Sequence, residues 1–450
     1  MRLIHSIQGR IGIELNVPGP FLHFVLFVWP LLRTICQNGR MSNEPILRDG
    51  YCTAGWFRRS IDANDFLNVH LHSENERWMH QAILQAMQAI GRVNPNPQVG
   101  CIVVQNGKQI AAGSTQAYEK LLHAEKVAHQ QLPNGFPKDS DVYVTLEPCA
   151  ERRHQPPCLE LFVESTPKNL FIGSHDADVR TRGISDRKLK SIHVNTAIGP
   201  LSWECIALNL PFLNHRLSGK TFWAAKIAQT ADGLMSHPEG TQRWVTGPVA
   251  RASTHWLRQK YDAIVVASGT FIKDRPILTV RDCAFPHARN PVRVVVDPRG
   301  HVVDSGIDQV PDPDAGPWIW IGPKGTAPRQ LEKSMTLVET EADLWDSTAV
   351  RSTIESLDWS SILGRSLQSV MVEGGLKFVQ MLHRTVPFDL VHQWVSPQKW
   401  GDQISRDAIE LQNYRLISHI HCEGDQLLEW IPKELANELG RLNSAQTTVG

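Results

Sequence analysis

The chain has no excess of charge of either sign. Lys plus Arg and Asp plus Glu stand at 46 each in 450 residues, so no global basic field would draw in nucleic acid, and such a partner would need a local cationic patch. Cysteine is scarce: the eight present are irregularly spaced, which does not read as a disulfide framework and favours a reducing, cytoplasmic setting. The apolar run Phe21 to Leu32 (FLHFVLFVWPLL) covers 12 positions and is broken by His23 and Pro30. A bilayer span needs about 20, so no membrane partner is expected. No small-residue cleavage pattern follows Leu32, and Met41 comes soon after. Residues 1–72 therefore read either as translation from an upstream start or as a short anchor or extension of unknown role. There is no internal repeat, and no G-x-G-x-x-G follows the first strand of the second half, which disfavours a Rossmann domain.

What is present is ordinary soluble-protein composition, 42% hydrophobic and 20% charged, at a length that suits two or three domains. From Ser73 the pattern becomes regular. Helical spacing predicts a helix over Trp78–Ile90, a Pro/Asn-rich turn over Asn94–Gly100, and a strand from Cys101 to Val104. An Asn106-Gly107 hairpin turn follows, then a helix over Leu122–Gln131, a strand over Asp141–Leu146 and a helix over Cys158–Ser165. After a polar break at Arg216–Lys220, strands are expected at Phe222–Ala228, Ala263–Ala267, Val292–Asp297, Trp318–Ile321 and Ser369–Val372, with surface loop around 300–328. The alternation is α/β. It divides into an extension (1–72), a first domain (73–218) and a second (219–450) that shares no motif with the first.

In the first domain, His123-Ala124-Glu125 is followed by Pro148-Cys149 and, nine positions on, by Cys158. One imidazole and two thiolates make a three-ligand zinc site with an open fourth position, the catalytic arrangement. Zinc lowers the pKa of water in that position towards neutrality, and Glu125 is placed to shuttle its proton to a departing amine. H-x-E followed by P-C is the pattern of zinc nucleobase deaminases. Any one of these residues alone would read as core or surface; the ordered set does not. His129 and His154 lie nearby in sequence but are surplus to a complete ligand set.

In the second domain, Val372-Glu373-Gly374-Gly375 reads as a strand ending in a glycine turn that opens a helix, a ready-made phosphate site. Gly269-Thr270 follows a strand in the same way and suggests a second contact to a dinucleotide. Arg258 and Arg281 are candidate grips for a substrate phosphate.

These motifs together resemble the bacterial bifunctional riboflavin-biosynthesis family. The deaminase half of that family shows the T-L-E-P-C strand end (here Thr145–Cys149), a long intercysteine loop ending in P-P-C (Pro156–Cys158) and a P-N-P-x-V-G turn (Pro95–Gly100). Its reductase half shows T-G-P-x-A-R, G-T-x-x-x-D-x-P-x-L-T-V-R and E-G-G, all present between Arg216 and about Trp430. The resemblance implies a zinc cytidine-deaminase-like three-layer domain followed by a dihydrofolate-reductase-like domain. It also implies one zinc per chain on His123, Cys149 and Cys158, with Glu125 as the catalytic acid–base and Asn96 near the pyrimidine. Carried over by position, Ala228, Trp244, Thr270, Asp274 and the segment from Gly375 would contact NADPH, while Arg258, Leu278, Arg281 and Glu373 would contact a phosphoribosyl-pyrimidine.

The implied reactions are hydrolytic deamination of 2,5-diamino-6-(5-phosphoribosylamino)pyrimidin-4-one and NADPH-dependent reduction of its ribosyl group to ribityl. The partner expected is a small molecule rather than nucleic acid, and a homo-oligomer is left open. The chain departs from the family pattern at Thr115–Leu122, at Glu151–Gln155 and at Arg275, where Asp is usual. These departures keep open a single-activity relative, with reduction alone. Arg152 and Arg153 are expected to supply replacement cations for the substrate phosphate.

Overall fold

The computed structural model describes residues 73–116, 122–152, 155–178, 181–281, 289–401 and 409–444. The apolar run at 21–32 and the residues Arg153 and His154 lie outside them. Among the described residues no helix is long and apolar enough to cross a membrane.

The first unit is a five-stranded mixed sheet in the order β2-β1-β3-β4-β5. Its strands are β1 (Gly100–Gln105), β2 (Lys108–Ser114), β3 (Asp141–Val144), β4 (Asn169–Ile172) and β5 (Asn195–Ile198). The first helix, α1 (Glu74–Met87), starts four residues earlier than the apolar spacing suggests, because Ser73 caps it: its Oγ accepts the Glu76 amide at 3.2 Å. Two glycines let helices press directly on the sheet. A Cβ at Gly100 would lie 1.9 Å from the Ala82 carbonyl of α1, and one at Gly113 would lie 2.0 Å from the Ala124 carbonyl of α2 (Ala124–His129). Gly113 pairs with Cys101, the neighbour of Gly100, so the two glycines face opposite sides of the sheet. Helix α1 therefore covers one face, joined by α5 (Ser202–Leu208). Helix α2 covers the other, joined by α3 (Cys158–Glu164), on which α4 (Ile184–Ser191) packs. The result is three layers.

The polar break at Arg216–Lys220 is a helix end. Helix α6 (Leu210–Ser218) runs through Arg216 and stops at Gly219, whose φ of 69° is the left-handed cap glycine adopts most readily. The second unit is a nine-stranded sheet in the order β10-β9-β8-β7-β11-β6-β12-β14-β13. Its strands are β6 (Phe222–Thr230), β7 (Ala263–Ala267), β8 (Val292–Val296), β9 (Trp318–Pro323), β10 (Thr336–Thr340), β11 (Ser369–Glu373), β12 (Leu390–Ser396), β13 (Tyr414–Cys422) and β14 (Asp425–Pro432). From β10 to β12 every pairing is parallel; β14 and β13 close the edge as an antiparallel hairpin. Parallel strands are buried on both faces, which is why β7 (AIVVA) and β8 (VRVVV) read as nearly unbroken apolar runs. Flanking helices include α7 (Pro248–Arg258), α8 (Ser268–Asp274), α9 (Ser347–Glu355), α10 (Trp359–Leu363), α11 (Leu376–Thr385) and α12 (Lys433–Ser444).

Candidate active sites

The sheet of the first unit brings its three candidate ligands together from three places. His123 is the N-cap of α2, Cys149 follows β3, and Cys158 opens α3. Their donor atoms lie within 4.8 Å of one another. His123 Nδ1 is 3.5 Å from Cys149 Sγ and 3.2 Å from Cys158 Sγ. Hydrogen bonds from the Cys158 thiol and His123, with the Cys158 amide adding to them (3.2 Å to Cys149 Sγ), outweigh burial and hold Cys149 down to about 4. A thiolate at neutral pH, a second thiol and an imidazole nitrogen are the soft and borderline donors zinc selects, so the residues present fit that metal.

Glu125, in the first turn of α2, is buried beside them, and burial raises its carboxyl above the usual range, partly offset by His123. One cleft is lined by His123, Glu125, Cys149 and Asn96, the last carried by the Asn94–Gly100 turn. That turn is held by Asn209, whose side chain accepts the Gln98 amide (2.8 Å) and donates to the Gln98 carbonyl (2.9 Å).

Three residues to which the motifs gave no role also matter here. Thr115 lines the cleft and its Oγ1 accepts the Val99 amide at 3.0 Å. Glu147 lines it while accepting the amides of Gly183 (2.9 Å), Ser185 (3.2 Å) and Asp176 (3.3 Å). Arg216 supplies the cleft with a cation, 3.8 Å from Asp178. Arg152 was expected in that role. It is exposed and is not among the lining residues, where the intercysteine loop contributes Glu151 and Gln155. Nothing local in the sequence marks Arg216, since only the return of α6 brings it here. His129 is away from the ligands, 3.3 Å from Ser165 Oγ and edge-on to Phe136.

In the second unit, β7, β11 and β6 are parallel neighbours, so their C-terminal ends share one edge, the usual ligand edge of an open α/β sheet. Two of the expected cofactor contacts meet there: the Gly375 amide donates to Thr270 Oγ1 at 3.2 Å. Lys226 is opposite Glu373, so Ala228, two residues further along β6, stands level with Gly375. Trp244 is 53% exposed, with the guanidinium groups of Arg243 and Arg251 at 4.9 and 4.8 Å from its ring. Arg243 Nη2 also donates to the Asp274 carbonyl at 3.2 Å, which links that segment to the end of α8. A glycine turn and helix start beside a hydroxyl, flanked by cations, suit a dinucleotide with an added phosphate.

The expected substrate contacts form a second group. Arg258 is buried and grips Glu373 bidentately, Nε to Oε1 at 2.7 Å and Nη2 to Oε2 at 3.0 Å, while Nη1 donates to the Thr279 carbonyl at 2.9 Å. The arginine expected to grip a phosphate is thus engaged with a protein carboxylate, and its direct effect is to tie the Leu278–Arg281 segment to β11. Leu278 is buried with φ 57°, and Arg281 is half-buried at the end of that segment. Arg275 has a φ of 46° at the end of α8, a left-handed position that Asp tolerates better than Arg. Its Nη2 donates to the Gln309 carbonyl at 2.5 Å. Lys226 stands opposite Glu373 on β6, and burial lowers its pKa, with the Glu373 charge opposing that shift.

Residues 72–174 match the cytidine and deoxycytidylate deaminase zinc-binding region, and residues 222–428 match the RibD C-terminal domain. The chain is 31% identical over 341 residues to riboflavin biosynthesis protein RibD of Chlamydia muridarum, covering 74% of this chain and 88% of that protein. It is 37% identical over 222 residues to the protein of that name from Actinobacillus pleuropneumoniae, covering 49% of this chain and 57% of that protein. A solved structure from Thermotoga maritima, a diaminohydroxyphosphoribosylaminopyrimidine deaminase/5-amino-6-(5-phosphoribosylamino)uracil reductase, is 27% identical with a TM-score of 0.62. That match covers 80% of this chain and 98% of the Thermotoga chain.

Proposed function

The chain belongs to the riboflavin biosynthesis protein RibD family, and on that premise we propose that it carries out both reactions of the bifunctional enzyme. Residues 73–218 deaminate 2,5-diamino-6-(5-phosphoribosylamino)pyrimidin-4-one, and residues 219–450 reduce the ribosyl group of the product to ribityl with NADPH. The observation that carries the reading is the single cleft in which His123, Cys149, Glu125 and Asn96 converge, with Cys158 completing the donor set.

Zinc held by His123, Cys149 and Cys158 supplies Lewis acidity that makes water nucleophilic near neutral pH. Glu125 Oε takes the proton of the attacking water and passes it to the departing amine, and its burial favours the proton-carrying form. Asn96 orients the pyrimidine, and Arg216 faces the sugar phosphate. In the reductase half NADPH supplies the hydride. The Gly375 amide and Thr270 hold its phosphates, with Trp244, Asp274 and Ala228 along the same edge. Arg258, Glu373, Leu278 and Arg281 shape the substrate side, with Lys226 opposite Glu373 on the neighbouring strand. Cys149 and Cys158 are free cysteines, which suits a metal site in a reducing cytoplasm.

The test is direct. Purified protein is given the diaminopyrimidine ribosyl phosphate with and without NADPH, and products are identified by mass spectrometry. The deaminated ribosyl compound is expected without NADPH and the ribityl compound with it. Protein that binds zinc yet never deaminates this substrate would leave only the reductase activity.

A further inference from the structure

The last helix, α12, packs against β14 and β13 of the reductase sheet and reaches the deaminase half at its C-terminal end. It lies beyond the residues matched by the RibD C-terminal domain, which end at 428. Leu435, Ala436, Leu439 and Leu442 are buried in a core that takes in Cys205 and Leu208 of α5 as well as Ile417 and Ile431 of the β13–β14 hairpin. A Cβ at Gly440 would lie 3.7 Å from the Trp203 ring.

At the end of this apolar seam Asn443 makes directional contacts. Its Oδ1 accepts the His175 amide at 2.9 Å, while Nδ2 donates to Ser202 Oγ and to the Gly173 carbonyl at 3.5 Å. His175 Nδ1 lies 2.8 Å from Glu147 Oε2. Glu147 gathers the Asp176, Gly183 and Ser185 amides, and Ser185 Oγ donates to the Pro148 carbonyl at 2.6 Å, next to Cys149. Glu147, Asp176 and Thr181 are cleft wall.

We propose that α12 is a positioning element for the deaminase cleft, and that Asn443 is the residue through which the reductase half holds the wall facing the substrate. The inference rests on the deaminase reading of that cleft. A hydrophobic seam alone is non-directional and would dock the helix without fixing the Gly173–His175 backbone. Asn443 does fix it, because a buried amide left without its acceptor is costly. Deamination then depends on the C-terminal end of the other domain.

The experiment uses the full chain with Asn443→Leu, which keeps the branched heavy-atom outline but removes every polar contact of the side chain, and Asn443→Asp, which keeps the acceptor for the His175 amide. In Asn443→Leu, hydrogen exchange over residues 173–186 should be about tenfold faster, with β1 and β11 peptides unchanged. The deaminase KM should rise about tenfold at nearly constant kcat, because binding contacts rather than the proton transfer are loosened. Zinc content and reduction of the deaminated substrate should not change, and Asn443→Asp should recover part of the loss. Unchanged exchange and unchanged KM in Asn443→Leu would overturn the proposal. So would equal loss of both activities with faster exchange everywhere, which marks a general stabiliser. If the wild-type chain deaminates nothing, the activity assignment fails while the exchange measurement still decides whether Asn443 braces the wall.

Discussion

Arg258 and Glu373, 115 positions apart, form a two-pronged ion pair at the point where α7 meets the end of β11. Burial by itself would push the Glu373 carboxyl up; Arg258, with help from Lys226, outweighs it and holds the group at about 2. Removing one partner of such a buried pair costs about 3–5 kcal/mol, so Arg258→Ala should be destabilised by that order in urea titrations and should lose reduction. Glu373→Gln should show the pH side of the same pair. A carboxyl whose folded pKa is depressed adds stability above its unfolded pKa of about 4.3, and that stability is lost as pH falls towards 2. The gap between wild type and Glu373→Gln should therefore be full at pH 7 and shrink between about pH 4.5 and 2. A gap that stays constant across that window would argue against the pair as drawn.

Metal content tests the ligand set. Cys149→Ser replaces the thiolate that the site holds ionised with a poor zinc donor, and elemental analysis after dialysis should find most of the zinc gone from about one per chain. Full retention would remove this centre.

Glu125→Gln keeps the shape of the side chain but cannot carry a proton. Deamination should fall about 10²- to 10⁴-fold with zinc retained, and reduction of the deaminated substrate should be nearly unaffected. A parallel fall in reduction, followed by coupled assays, would show dependence running from the first site to the second.

At Gly375 the free protein has room. An added Cβ would meet only Thr270 Oγ1, at 3.8 Å, so Gly375→Val should melt close to wild type. The branched side chain would nonetheless stand where a phosphate approaches the backbone, and NADPH affinity should drop about tenfold or more. An unchanged Kd by titration would move the cofactor elsewhere.

Among the described residues of the cleft wall the cation is Arg216, and Arg152, which the intercysteine loop suggested together with Arg153, is not part of that wall. Arg216→Ala should raise the deaminase KM several-fold with zinc intact, a loss of uniform binding, whereas Arg152→Ala should do much less. The reverse order would restore the loop as the phosphate grip.

Much of this was legible beforehand because short-range rules carry it. The H-A-E helix start, the P-C strand end and the E-G-G turn each place chemistry at an element boundary, and those boundaries follow from local propensity and glycine. The apolar parallel strands announce themselves for the same reason. The strands that went unread, among them β12 (LVHQWVS) and β14 (DQLLEWIP), carry polar residues at buried positions, so composition argues against them.

The sequence by itself determined the two chemistries: which side chains could bind a metal, shuttle a proton or cradle a phosphate, and in what order along the chain. Tertiary structure alone decided which charges neutralise one another. Glu373, Lys226, His392 and Glu429 are neighbours across four strands only because the register aligns them, and Tyr261 completes the row with a 2.7 Å contact to His392. Asn443 reaches the deaminase wall only because α12 folds back across the domains. The cost of burying a polar group is cancelled by partners more than thirty to two hundred positions away, and separation of that kind leaves no periodic or local trace to read.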